Sequence, residues 1–192
     1  MTIYVTDKKV HWNYFLALER DLEAVSRYIE FCEPNFSVFS IELAHLLFAA
    51  SSEVDVVAKL LCQLIAPKSP RKNIDQYRAA LMRTIHDLPD TEVFVPRYGL
   101  SFRPWSNWTE GHNPDWWRSY NNVKHERDAY FHEATLKNAL NAVGALLIIT
   151  ALYYSRLLSE SDDAPFHVAP VMQRLEPKAS LLRLPSNYYH QW

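Results

Sequence analysis

Apolar side chains recur along most of this chain at steps of three and four, and the places where that rhythm fails divide it into segments. From residue 11 to 32, Tyr14, Leu18, Leu22, Val25 and Ile29 fall on one side of a cylinder that turns about 100° per residue, which predicts an amphipathic helix ended by "EPNFS". A second helix is predicted from Ser37 to about Ile65, with Leu43, Leu47, Ala50, Val54, Val57, Leu61 and Leu64 forming one stripe. After the proline-punctuated "APKSPRK", Asn73 can accept from the first free amides of a helix running to Thr84. The last long stripe, Leu136, Leu140, Val143, Leu147, Ala151 and Tyr154, predicts a helix from about Ala129 to Leu158.

Between residues 88 and 113 the helical period is absent. "EVFVPRYGLSFRPW" alternates in part and turns at Tyr98-Gly99, the pattern of a short hairpin or an extended loop. "HNPDWW" reads as a helix start, with Asn113 as N-cap, Pro114 at the first helical position and Asp115 facing the positive end of the dipole. From Glu160 onward, "SESDDAPFHVAP", Pro177 and Pro185 predict an extended tail on the surface, with Phe166, Tyr188, Tyr189 and Trp192 available to dock it. The expected fold is therefore all-α: an up-and-down bundle of four to five helices over residues 1–159, with a short hairpin-like insertion, then an irregular C-terminal tail over residues 160–192.

Composition narrows the chemistry. An apolar share of 48% with only 3 Gly suits an ordered helical protein. Twenty basic against 22 acidic residues leave a formal charge of −2, so a polyanion must be met by a local patch. Cys32 and Cys62 fall in apolar, helical surroundings and make no disulfide framework, and "MTIYVTDKKVHW" carries charge where an export signal needs apolar residues. A cytoplasmic location with reduced thiols is expected. The apolar run from Asn138 to Ser155 is short for a membrane span and reads as a buried bundle helix. Glu42-x-x-His45 is half of a bundle di-metal pattern whose other half is missing, and neither a phosphate loop, nor zinc-spaced cysteines, nor a Gly-x-Ser-x-Gly elbow occurs. No metal or cofactor is expected.

One stripe carries chemistry. If the segment after Pro114 is helical, Arg118, Asn122 and His125 share a side, joining a permanent cation, an amide and the one side-chain type whose unperturbed pKa lies near neutrality. Five basic residues (Arg97, Arg103, Arg118, Lys124, Arg127) accompany three acids (Glu110, Asp115, Glu126) from Val93 to Arg127. Trp105, Trp108, Trp116 and Trp117 either stack on unpaired bases or build core.

Arg118, followed by the polar Ser119 and, after six intervening residues, by His125, resembles the signature of the HEPN superfamily of small helical domains. The motif sits on a late helix before a long apolar one, and the earlier "SSEVDVVAK" is similar to the small, polar and acidic stretch such proteins place near it. The likeness covers roughly residues 10–159. In that family Asn, Asp or His more often follows the arginine, and six is the upper limit of the spacing. The resemblance implies a homodimer that cleaves RNA without metal across a shared groove. His125 would take the proton of a ribose 2′-hydroxyl, and Arg118 would hold the phosphoryl oxygens, leaving a 2′,3′-cyclic phosphate. It further implies Asn121 and Asn122 as orienting groups, Lys124 and Arg127 on flanking phosphates, and Glu53 in support of the His125 region. A bacterial toxin or antiviral effector, held by a regulatory protein partner, is the setting such a nuclease implies. The residues alone leave a second reading open, in which Arg118 pairs with an acid, His125 is a satisfied core residue, and the chain is a non-catalytic dimeric module binding a protein or nucleic acid.

Overall fold

The computed structural model describes residues 8–158, 166 and 168–189. The fold is predominantly helical. Its centre is the pairing of two long helices, α2 (Ile41–Ile65) and α6 (Leu136–Leu157), whose N-termini lie at the same end, flanked by α1 (Val10–Val25), α3 (Ile74–Leu81) and α4 (Asp115–His125). α6 is buried nearly all round from Ala142 to Leu152, as a helix with no polar face must be. It is the one described helix long and apolar enough by composition to cross a membrane, and 78% of its most apolar window is buried inside the fold.

Local chemistry sets the helix ends. The Ser40 hydroxyl accepts from Leu43 N at 3.1 Å and caps α2, three residues after the expected Ser37. The shift has a tertiary cause: Val38 O and Phe36 O accept from Leu136 N (2.8 Å) and Lys137 N (3.1 Å), so residues 36–39 are held out of the helix to satisfy the first amides of α6. Asn73 caps α3 as its position suggested, accepting from Gln76 N at 3.1 Å. α1 stops at Val25 rather than near residue 32, and the chain folds back to bury Phe31 against the Tyr98 ring. The expected helix from Ala129 is divided. α4 ends at His125, Glu126 leaves helical geometry, α5 (Arg127–Tyr130) and a 3-10 turn at Phe131–Glu133 follow, and Thr135 caps α6 by accepting from Asn138 N at 3.2 Å.

The hairpin is present. β1 (Val93–Val95) pairs antiparallel with β2 (Leu100–Phe102), and Gly99 supplies the left-handed residue, φ +63°, that closes the turn. Its far end rests on α6 at Gly144, where a Cβ would lie 2.6 Å from Phe102 Cε2. Alanine there gains about 1 kcal/mol of helix propensity and loses about 1–3 kcal/mol to overpacking, so Gly144→Ala is expected to lower the melting temperature. In a Phe102→Ala background the ring is gone and only Pro104 Cγ, 3.3 Å from the added Cβ, stays close, so the loss is expected to shrink; a double-mutant melting series reads the difference.

The tail differs from its expectation. Residues 168–174 form a short helix, α7 (Val168–Arg174), and after it Leu175, Leu181, Leu182 and Leu184 lie in the core. The prolines do prevent regular structure from residue 175 on, but burial overrides exposure because acceptors wait for the backbone. Glu19, 1% exposed on α1, takes Leu181 N and Leu182 N on Oε1 (2.9 and 2.8 Å) and Ser180 N on Oε2 (2.9 Å). Trp12 Nε1 donates to Pro177 O, and Phe94 and Arg183 exchange backbone hydrogen bonds. Tyr188 and Tyr189 also dock, on Thr91 and the Leu184 amide. Residues 160–165 and Trp192 of the expected tail lie outside the described residues.

Burial on α2 pushes the Cys62 thiol up to about 11, the Arg71 guanidinium pulling weakly the other way. The thiolate is the reactive form, so a thiol reagent at pH 8 is expected to label half-exposed Cys32 and to spare Cys62 unless the chain unfolds. Mass spectrometry of the labelled protein distinguishes the two.

Candidate functional site

α4 begins one residue later than the sequence suggested. Pro114 occupies the cap position, its carbonyl accepting from Trp117 N and Arg118 N at 3.0 Å, and the Asn113 side chain makes no capping bond. Proline at the cap fixes the entry of the chain, while Gly111, φ +76°, ends the preceding 3-10 segment Ser106–Glu110 and turns the backbone so that His112 N meets Asn107 O at 3.1 Å. Arg78 of α3 clamps that turn, donating to Gly111 O while pairing with Asp75 at 3.4 Å.

Behind the turn, α4 buries Trp116, Trp117, Tyr120 and Val123. Trp105, Trp108 and Trp116 are core, 0–3% exposed, and stack on one another edge to face or tilted, which removes them as platforms for bases. Trp116 Nε1 donates to Pro104 O at 2.8 Å, tying the loop to α4. The opposite side of α4 faces out. Arg118 and His125 are both exposed there, seven positions apart, so their Cα atoms lie about 10 Å from each other along the axis. Arg118 Nη2 donates to Asp115 Oδ1 at 2.8 Å, a pair open to solvent and worth roughly 0–1 kcal/mol.

The remaining expected residues divide by position. Arg118, Asn121 and Asn122 share one polar recess of about 500 Å³ at the start of α4, together with Asn107, His112, Asn113, Asp115 and Trp117. Asn121 Nδ2 donates to Trp117 O at 2.9 Å, and Asn122 Nδ2 donates to both Glu133 carboxylate oxygens at 3.1 and 3.3 Å. Lys124 lies 5.3 Å from the Tyr120 ring centre and the Arg127 guanidinium 5.0 Å from that of Phe48, their charged heads at the surface. Glu53 does not join this group. Its Oε1 is 2.5 Å from His11 Nδ1 on α1, with the His11 ring set edge-on to Tyr153. Glu42 and His45 approach only to 3.9 Å on an exposed face, and among the described residues no three metal-binding side chains converge.

Sequence reasoning missed His112, Asn107 and Asn113 as pocket residues and His11 as the partner of Glu53. The signal for the first three was present in "EGHNP", a glycine and a proline bracketing two polar residues before a helix, which is a turn that presents side chains rather than burying them. A larger recess, about 980 Å³, lies between the hairpin and the C-terminal segment; its walls are mainly apolar and it shares no residue with the first. The polar recess therefore joins Arg118, Asp115, the His112 imidazole and four asparagine amides, while His125 is not among its lining residues. Compared with known proteins, the chain matches no family model, no curated sequence and no solved structure.

Proposed function

We propose that the exposed face of α4 binds RNA and, in a homodimer, cleaves it without metal. The observation carrying this reading is that Arg118 and His125 stand on one exposed stripe of a single unbroken helix, Arg118 at a polar recess. A guanidinium there grips phosphoryl oxygens with two parallel N–H donors, and its weak tie to Asp115 yields readily to a phosphate. His125 ends α4 and no described group holds its ring, so an imidazole nitrogen is available to take a 2′-hydroxyl proton. The oxygen so freed attacks the adjacent phosphorus, the 5′-oxygen of the next nucleotide leaves and takes up a proton, and a 2′,3′-cyclic phosphate remains.

About 10 Å between the two residues along one helix favours a dimer in which each Arg118 serves the partner's histidine across a shared groove. Lys124, near the far end of α4, and Arg127, which opens α5 just beyond it, extend the positive track for flanking phosphates. The test is incubation of the full chain with RNA in EDTA, with the ends of any fragments identified by mass spectrometry. Cyclic phosphate ends in the presence of chelator support the reading. No cleavage at any pH between 6 and 8, or cleavage only after a divalent metal is restored, removes it.

A further inference from the structure

The amides of the recess have their orientation decided by what they touch. Asn121 faces a carbonyl and Asn122 a carboxylate, and both of those partners only accept, so each asparagine must turn its NH₂ toward the protein. Their Oδ1 atoms are left for whatever enters. Asn113 adds a third oxygen, shielded from solvent and without a hydrogen-bond partner among the described residues. Asp115, held only by a solvent-exposed pair, is a further acceptor. The recess thus offers several acceptors, one cationic donor in Arg118, and the Asn107 amide and His112 imidazole, which can donate or accept, beside the apolar wall of Trp117.

We infer that this recess is a nucleobase subsite selective for guanine, with the attached phosphate on Arg118. The inference rests on the RNA reading of α4 and names what it recognises. On the edge used for pairing, guanine presents two donor groups, its ring N–H and its amino group, against one acceptor. Adenine presents one of each, while cytosine and uracil present one donor and two acceptors. A wall of amide and carboxylate oxygens satisfies guanine and leaves facing lone pairs with either pyrimidine, where unpaired acceptors on both sides lose their water without replacement. The partnerless Asn113 oxygen, closed to solvent as it stands, meets such a donor once its amide turns toward the recess. A volume of about 500 Å³ admits one base and its sugar, not a duplex.

The test uses the full chain and the four ribonucleoside 5′-monophosphates, which offer no internucleotide bond to cleave, titrated by calorimetry or NMR. Guanosine monophosphate is expected to bind about tenfold or more tightly than the uridine and cytidine forms. Arg118→Ala is expected to weaken all four while keeping their order, and Asn113→Ala to erase the order. Equal affinity for the four bases in the wild-type chain, which depends on no variant folding, overturns the inference. So does a guanine preference that persists in a folded Asn113→Ala protein. A clear preference without RNA cleavage in EDTA keeps the subsite and discards the nuclease; cleavage with no base preference does the reverse.

Discussion

Replacing His125 with alanine is expected to slow RNA cleavage by about 10²–10⁴ while leaving the fold untouched, because that is the range supplied by a positioned general base. The side chain is exposed on the last residue of α4, and no described group depends on it for a hydrogen bond, so its removal opens no cavity and strands no partner. A change of that size in initial rate, with an unshifted thermal melt, separates chemistry from stability. Arg118→Ala is expected to lose a comparable factor, since it removes the group that would stabilise charge on the phosphoryl oxygens. Should His125→Ala cut as fast as the parent, the base lies elsewhere; two other imidazoles make specific comparisons. His112 lines the recess, and His11 is oriented by Glu53. Alanine at either is expected to change cleavage far less than at His125.

The second large effect is expected at Glu19, far from the proposed chemistry. Glu19→Ala removes the acceptor for three buried or half-buried backbone N–H groups of the C-terminal segment, at Ser180, Leu181 and Leu182. Each stranded donor costs about 1–3 kcal/mol, and water reaching one or more of them recovers part, so a net loss of roughly 3–5 kcal/mol is expected. Against a total stability of about 5–15 kcal/mol that is a large share, and for a chain of this size it lowers the melting temperature by roughly 6–20 °C. Glu19→Gln keeps the shape and one oxygen but turns an NH₂ toward a donor, so an intermediate loss is expected. Circular dichroism melts give the ranking, and limited proteolysis locates the release: cleavage near residues 175–185 should appear before cleavage within α2 or α6. Equal melts for all three proteins would show that the segment is held by its leucines alone.

Periodicity made α2 and α6 legible because a helix repeats its contacts every few residues and needs no distant partner to declare which face is apolar. The same local logic identified the Asn73 cap and the turn at Tyr98-Gly99. It misplaced the start of α2, since Ser37 and Ser40 are equally good caps by chemistry and the choice was made by residues 36–39 pairing with α6. It misread the tail for a related reason. Leu175, Leu181, Leu182 and Leu184 show no repeat, and their burial depends on a carboxylate 162 positions away from Leu181. Glu53 was assigned to the wrong neighbourhood because its partner, His11, lies on a different helix 42 positions earlier.

At the proposed site, the sequence by itself determined that Arg118, Asn122 and His125 share a side, since seven residues at about 100° each return almost to the starting angle. It likewise determined a helical protein with a mostly apolar late helix. Only the tertiary structure decided that Trp105, Trp108 and Trp116 are core, that His112 and Asn113 join Arg118 around a recess, and that the asparagine oxygens are the atoms left free. The division follows from range. Backbone hydrogen bonding fixes the relations of residues a few positions apart, whereas burial and polar satisfaction pair residues that the chain alone keeps far apart.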